Sequence, residues 1–176
     1  MKILVAYKSK TGFTKKYAEM IAKEVECTLM DFKSVTAELV SDYDVFVFGG
    51  GLHAGMVNGL KKAKEVFNKS KAEKFVIFAT GGTPNASAGE VLEAMWKNNL
   101  SPEELETIPH FYMQSGINYE NMQLPDKLIM KMVAAMLDKK KDKDSYEEGF
   151  AQAIKSSYDI SGREYAEPII EYLKGL

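Results

Sequence analysis

Val45-Phe46-Val47-Phe48 and Phe75-Val76-Ile77-Phe78-Ala79 are apolar runs with no polar residue at alternate positions. A strand with one wet face alternates, whereas a strand covered on both faces does not, so these runs belong inside a parallel sheet held between helices. The same grammar recurs along the chain. Ile3 to Tyr7 runs into the turn Lys8-Ser9-Lys10-Thr11-Gly12, after which Tyr17, Ala18, Ile21, Ala22 and Val25 recur at helical spacing. A short strand is expected at Thr28 to Phe32. Glycines 49, 50, 51 and 55 are expected to end the strand that starts at Asp44, and Leu60, Ala63 and Phe67 mark the next helix. Thr80-Gly81-Gly82-Thr83-Pro84 ends the fourth strand, Val91, Leu92, Met95, Trp96 and Leu100 make a third helix, and Pro109 to Met113 is a fifth strand running into Gln114-Ser115-Gly116.

Five strands alternating with helices predict an α/β chain of three layers with a five-stranded parallel sheet, since parallel neighbours require helical crossovers. The strands then stop. From Met122 the chain reads as helical, and Leu128, Ile129, Met132, Val133, Met136 and Leu137 form an apolar stripe of ordinary core spacing, expected to cover the sheet. The other reading lays this stripe, with Lys127, Lys131 and Lys139 to Lys141, against a membrane surface; Asp138, Asp142 and Asp144 weaken it. A final helix carries Ile169, Ile170 and Leu173. Ser161 and Glu164 have the spacing of a capping box, but Pro168 conflicts with a straight helix from Ser161.

The length, 176 residues, sits near the prior of roughly 150 per domain, which predicts one domain over 1–176 with an extra helical segment at about 117–160. A net charge of -2 excludes a nucleic-acid footprint. The single cysteine, Cys27, excludes an internal disulfide and any multi-cysteine metal site and suits a reducing, cytoplasmic setting. No apolar run reaches the length of a membrane span, and the N-terminal run is too short for a signal peptide. Asn68-Lys69-Ser70 and Asn85-Ala86-Ser87 match a glycosylation sequon and carry no weight without secretion.

In such a sheet ligands bind beyond the carboxyl ends of the strands. The loops Lys8 to Thr14, Gly49 to Met56, Thr80 to Ser87 and Gln114 to Tyr119 share that edge. Ser9-Lys10-Thr11-Gly12-Phe13-Thr14 offers three hydroxyls and a glycine at a helix start, where free N–H groups and the helix dipole favour a phosphate. The Walker pattern is absent, and Gly49, Gly51 and Gly55 miss the dinucleotide spacing by one. A bland alternative remains: Thr11 or Thr14 could simply cap the helix.

Ser/Thr-x-Thr-Gly-x-Thr directly after the first strand resembles the loop of the flavodoxin-like family. That resemblance implies sheet order 2-1-3-4-5 and bound FMN. It implies that Ser9, Lys10, Thr11, Gly12, Phe13 and Thr14 hold the phosphate. Gly50, Gly51, Leu52, His53, Ala54 and Gly55, with Thr80, Gly81, Gly82, Thr83 and Pro84, would flank the isoalloxazine. Ser115 and Gly116 would close the site. No metal and no protein nucleophile is implied. The chain departs from the electron-carrier flavodoxins, which are acidic and flank the ring with aromatics; the two flanking loops here contain no Phe, Tyr or Trp. Two-electron chemistry with a redox partner protein or a small acceptor such as a quinone is the expectation, against a non-catalytic carrier or a module that has lost FMN.

The form of Gly49-Gly50-Gly51-Leu52-His53-Ala54-Gly55, the long segment after strand five and its Lys127-Leu128-Ile129-Met130-Lys131 string are similar to the branch containing menaquinone-dependent protoporphyrinogen dehydrogenases. Few arginines and aromatics occur in 117–145, so no porphyrin site is evident. His53 would meet the flavin or substrate, or else be a solvated loop residue. His110, Cys27, Trp96 and the methionines read as structural.

Overall fold

β1 (Ile3–Lys8) and β3 (Val45–His53) lie in parallel register at the middle of the sheet, Val5 opposite Val47 and Lys8 opposite Gly50. β2 (Thr28–Asp31) pairs with the outer side of β1. β5 (Lys74–Gly81) follows β3, and β6 (His110–Gln114) follows β5, all parallel. The two-residue β4 (Met56–Val57) folds back antiparallel on the end of β3. Leaving β4 out of the count, the order is the expected 2-1-3-4-5. In this computed structural model residues 1–84, 89–143 and 145–176 are described. Asn85, Ala86 and Ser87 of the third loop and the second sequon, and Asp144 of the charged run, lie outside the described residues.

Unalternating strands produce two cores. Leu4, Ala6, Phe46, Phe48, Ile77 and Ala79 point to one face, against α3 (Leu60–Lys69) and α4 (Gly89–Asn99). Ile3, Val5, Val45, Val47, Val76 and Phe78 point to the other, against α1 (Phe13–Glu24) and α8 (Arg163–Lys174). Two short helices, α2 (Ala37–Val40) and α5 (Pro102–Thr107), complete the first face, α5 starting on a true capping box of Ser101 and Glu104. The pair Ser161 and Glu164 does not form one: α8 begins at Gly162 without a side-chain cap, and Pro168 lies inside it.

β3 does not stop at its glycines. It runs through Gly49, Gly50 and Gly51 to His53, because neighbours press on the backbone there. A Cβ at Gly49 would overlap the Phe78 ring, and one at Gly50 would stand 2.7 Å from Val57 Cγ1 and 2.8 Å from the Asn58 carbonyl oxygen. These glycines are packing requirements rather than turn residues.

Nor do the strands end after β6. β7 (Gly116–Ile117) pairs antiparallel with β8 (Tyr158–Asp159), so the segment between them, containing α6 (Leu124–Lys139) and α7 (Ser145–Ala153), leaves and returns at one point. α6 packs beside α7 and does not cover the sheet as its spacing suggested. None of its residues is buried, and Leu128, Met132 and Met136 are 62%, 65% and 69% exposed. Both faces of the sheet are already filled by the helices named above, so core-like spacing in α6 finds no core. Among the described residues no helix is long and apolar enough to cross a membrane.

Candidate functional site

The carboxyl ends of β1, β3 and β5 meet a cavity of about 420 Å³, within the range of small-ligand sites. Of the residues expected there, Lys10, Thr11, Phe13, Thr14, Gly51, Leu52, His53, Ala54, Thr80, Gly81, Gly82, Thr83, Ser115 and Gly116 line it. Ser9, Gly12, Gly50, Gly55 and Pro84 do not. Each of the first three has a local task instead: Ser9 Oγ accepts the Gly12 N–H at 3.1 Å, Gly12 takes a left-handed φ of 101° that starts α1, and Gly50 is the packing glycine of β3.

Neither Thr11 nor Thr14 caps α1. Its N-cap is Gly12, no side chain caps it, and no acidic residue occupies the first turn. Thr14, which could have served as a cap, is buried and shares a 2.8 Å hydrogen bond with the buried Thr80 hydroxyl. The helix therefore presents uncapped N–H groups and the positive end of its dipole beside the cavity. Lys8 and Lys10 add two cations to the lining. Gly51 sits tight against this corner, since a Cβ there would lie 3.3 Å from Thr14 Oγ1.

Ser115, almost fully buried, donates its N–H to the Gly81 carbonyl at 2.8 Å, and Tyr112 Oη donates to the Thr83 carbonyl at 2.8 Å, fixing the third and fourth loops together. Asn118 Nδ2 donates to the Thr11 carbonyl at 3.1 Å, tying the segment after β6 to the first loop.

Residues of that segment form a wall that sequence reading missed: Ile117, Asn118, Met122, Asp126, Ile129, Met130, Val133 and Phe150. Lys8 and Asn58 were also missed. The period of α6 did mark Ile129 and Val133 as apolar, but nothing in it says which neighbour they face. Phe150, with Phe13, brings aromatic rings to a cavity whose two flanking loops have none.

Asp126, near the start of α6, accepts a hydrogen bond from His53 at 2.9 Å and lies 3.8 Å from Lys10 Nζ. An ionised carboxylate only accepts, so His53 carries its proton on Nε2. That hydrogen bond, opposed by desolvation and helped by the charges of His53 and Lys10, holds the Asp126 carboxyl below its usual range. His53 is thus anchored, not a freely solvated loop residue. His110 is structural: its Nδ1 meets the Ile108 carbonyl oxygen at 2.8 Å and its ring packs on Trp96. Burial pushes the Cys27 thiol up, away from reactivity. Among the described residues no cluster suited to a metal ion occurs.

Residues 4–144 match the model of the flavodoxin domain. An uncharacterized protein of Methanocaldococcus jannaschii is 31% identical over 86 residues, which is 48% of this chain and 57% of that protein. The chain thus spans little more than half the length of that relative. Among solved structures, Flavodoxin 2 of Bacillus cereus aligns with a TM-score of 0.44 at 17% identity, covering 88% of this chain and 97% of that one. A flavodoxin from the domain Archaea aligns at 0.41 and 17%, covering 65% and 85%.

Proposed function

The chain belongs to the flavodoxin domain family, a family of FMN-binding electron-transfer proteins, and from that premise we propose that it is an FMN-dependent oxidoreductase acting on a small apolar acceptor such as a quinone. The observation that carries the enzymatic reading is the apolar wall of Ile117, Met122, Ile129, Met130 and Val133 beside the phosphate loop. A pure carrier needs its flavin edge open to a protein partner, whereas an apolar wall at the cavity provides a surface for a flat, water-insoluble molecule.

The residues present fit FMN. The uncapped first turn of α1, with Lys10 and the hydroxyls of Thr11 and Thr14, supplies donors and positive charge for a phosphate. Leu52 and Ala54 at the end of β3, and Gly81, Gly82 and Thr83 at the end of β5, offer backbone and small side chains against which a ring system can lie. When bound, FMN supplies the exchange of one or two electrons. The protein's own part is to hold and orient: His53 keeps a proton on Nε2, fixed by Asp126, at the rim where charge on a reduced ligand would be met. The single, half-buried Cys27 suits a reducing, cytoplasmic compartment.

The pattern Gly49 to Gly55 and the long segment after β6 support placing the chain nearest the branch containing menaquinone-dependent protoporphyrinogen dehydrogenases. Residues 117–145 hold no arginine and one aromatic, Tyr119, so porphyrin is not part of the proposal.

The presence of Phe13 and Phe150 at the cavity favours a second reading, an electron carrier with an aromatic flavin surround. Steady-state turnover of the FMN-loaded protein with NAD(P)H and a soluble quinone separates the two. Saturable quinone reduction supports the enzyme; absence of turnover, with two widely separated one-electron potentials, supports the carrier.

A further inference from the structure

α6 presents to solvent what most helices bury. Leu124, Leu128, Met132 and Met136 follow one another at four-residue steps along one side, each more than half exposed. A stripe of this kind marks an interaction surface. On one flank the helix turns Ile129, Met130 and Val133 to the cavity, and Ile129 belongs to both faces, being half exposed itself. On the other flank stand Lys127 and Lys131, and Lys139 lies at the C-terminal end. None of these three lysines has an acidic partner among the described residues. The acids of the helix are engaged elsewhere, Asp126 by His53 and Lys10 and Asp138 by Lys155 at 2.9 Å. Asp138, the one aspartate of the charged run that lies within the helix, therefore does not neutralise this flank.

We infer that α6 is a peripheral docking helix that lays Leu124, Leu128, Met132 and Met136 into the surface of an anionic lipid bilayer. An apolar arc bordered by unpaired lysines is the pattern of a helix lying in the interface plane, where apolar burial and attraction to acidic headgroups add. In a chain of net charge -2 that attraction is local to this face. Docked in this way, the helix sets the cavity at the membrane surface, where an apolar acceptor dissolves. Only this last consequence rests on the proposed function; the docking itself needs no flavin.

Co-sedimentation with vesicles tests it, using the whole chain with and without FMN, phosphatidylcholine vesicles, and vesicles containing one-third phosphatidylglycerol. The expected result is binding to the anionic vesicles that falls as salt rises, and at least tenfold loss in Leu128→Glu/Met132→Glu. Those side chains do not line the cavity, so the variant keeps the FMN affinity of the parent, which also shows that it folds. Lys127→Gln/Lys131→Gln should weaken binding to anionic vesicles alone. No binding to anionic vesicles, or equal binding by the Leu128→Glu/Met132→Glu variant, would overturn the inference. So would a dimer in sedimentation equilibrium that this variant converts to monomer, since the stripe would then face a second copy.

Discussion

Thr14 Oγ1 and Thr80 Oγ1 stand 2.8 Å apart, both buried, and join the loop after β1 to the end of β5 across 66 positions of sequence. Thr14 is the last residue of the loop proposed to hold a phosphate, so this one bond ties that loop to the end of β5.

Removing hydroxyls from the loop should weaken FMN. Thr11→Ala with Thr14→Ala is expected to weaken binding, and so raise Kd, at a cost of about 1 to 3 kcal/mol of binding free energy per lost charge-assisted hydrogen bond. Fluorescence titration of the apoprotein measures it, and an unchanged Kd would remove these hydroxyls from the site.

Gly49→Ala should destabilise the fold by roughly 1 to 3 kcal/mol, because overpacking a filled core forces neighbours apart. Phe78, whose ring the new methyl would overlap, is fully buried and cannot swing aside. Urea denaturation of Gly49→Ala, and of Gly49→Ala with Phe78→Leu, checks it: the second change should return part of the loss.

Tyr17 spans both ends of α8's approach, its hydroxyl donating to the Gln114 carbonyl and accepting the Gly162 N–H at 3.3 Å. Burial pushes its pKa up to about 12. A raised folded pKa means that the neutral phenol's contribution is complete below the unfolded value of about 10 and is lost as pH rises towards 12. Tyr17→Phe should cost about 1 to 2 kcal/mol at pH 7. The gap between wild type and Tyr17→Phe should narrow between pH 10 and 12 in denaturant melts, and a gap independent of pH would contradict the role given to the hydroxyl.

Glu24 accepts from Arg163 and Lys174 and so links α1 to α8. Hydrogen bonds from these two cations, then their charges, lower its pKa to about 2. A depressed folded pKa gives a contribution present above the unfolded value, about 4.3, and lost as pH falls towards 2. The pairs are exposed, so the effect is small and screened by salt. Any difference in Tm between wild type and Glu24→Gln should shrink from pH 6 to pH 2.5; a difference that grows would reverse the assignment.

The sheet was legible because its strands are apolar on both faces, a pattern that fixes covering layers without reference to any neighbour. The place of the loop Ser9 to Thr14, between β1 and α1 at the edge of the cavity, was legible because a turn directly after an apolar strand is local chemistry. Gly49 to Gly51 misled, since a glycine demanded by the Phe78 ring reads in sequence like one demanded by a turn. α6 misled for a related reason: apolar spacing reports that a helix has an apolar face, not what that face meets. Asp126 and Phe150 were out of reach, because their place at the cavity depends on how the excursion closed by β7 and β8 folds back over the loops.

If the cavity beside α1 recognises the phosphate of FMN, titrating the apoprotein with FMN and with riboflavin, following flavin fluorescence, will separate the two ligands. The expected result is one-to-one binding of FMN and an affinity for riboflavin weaker by on the order of 100-fold, the worth of two lost charge-assisted hydrogen bonds. Equal affinities, or no binding of FMN, would contradict it.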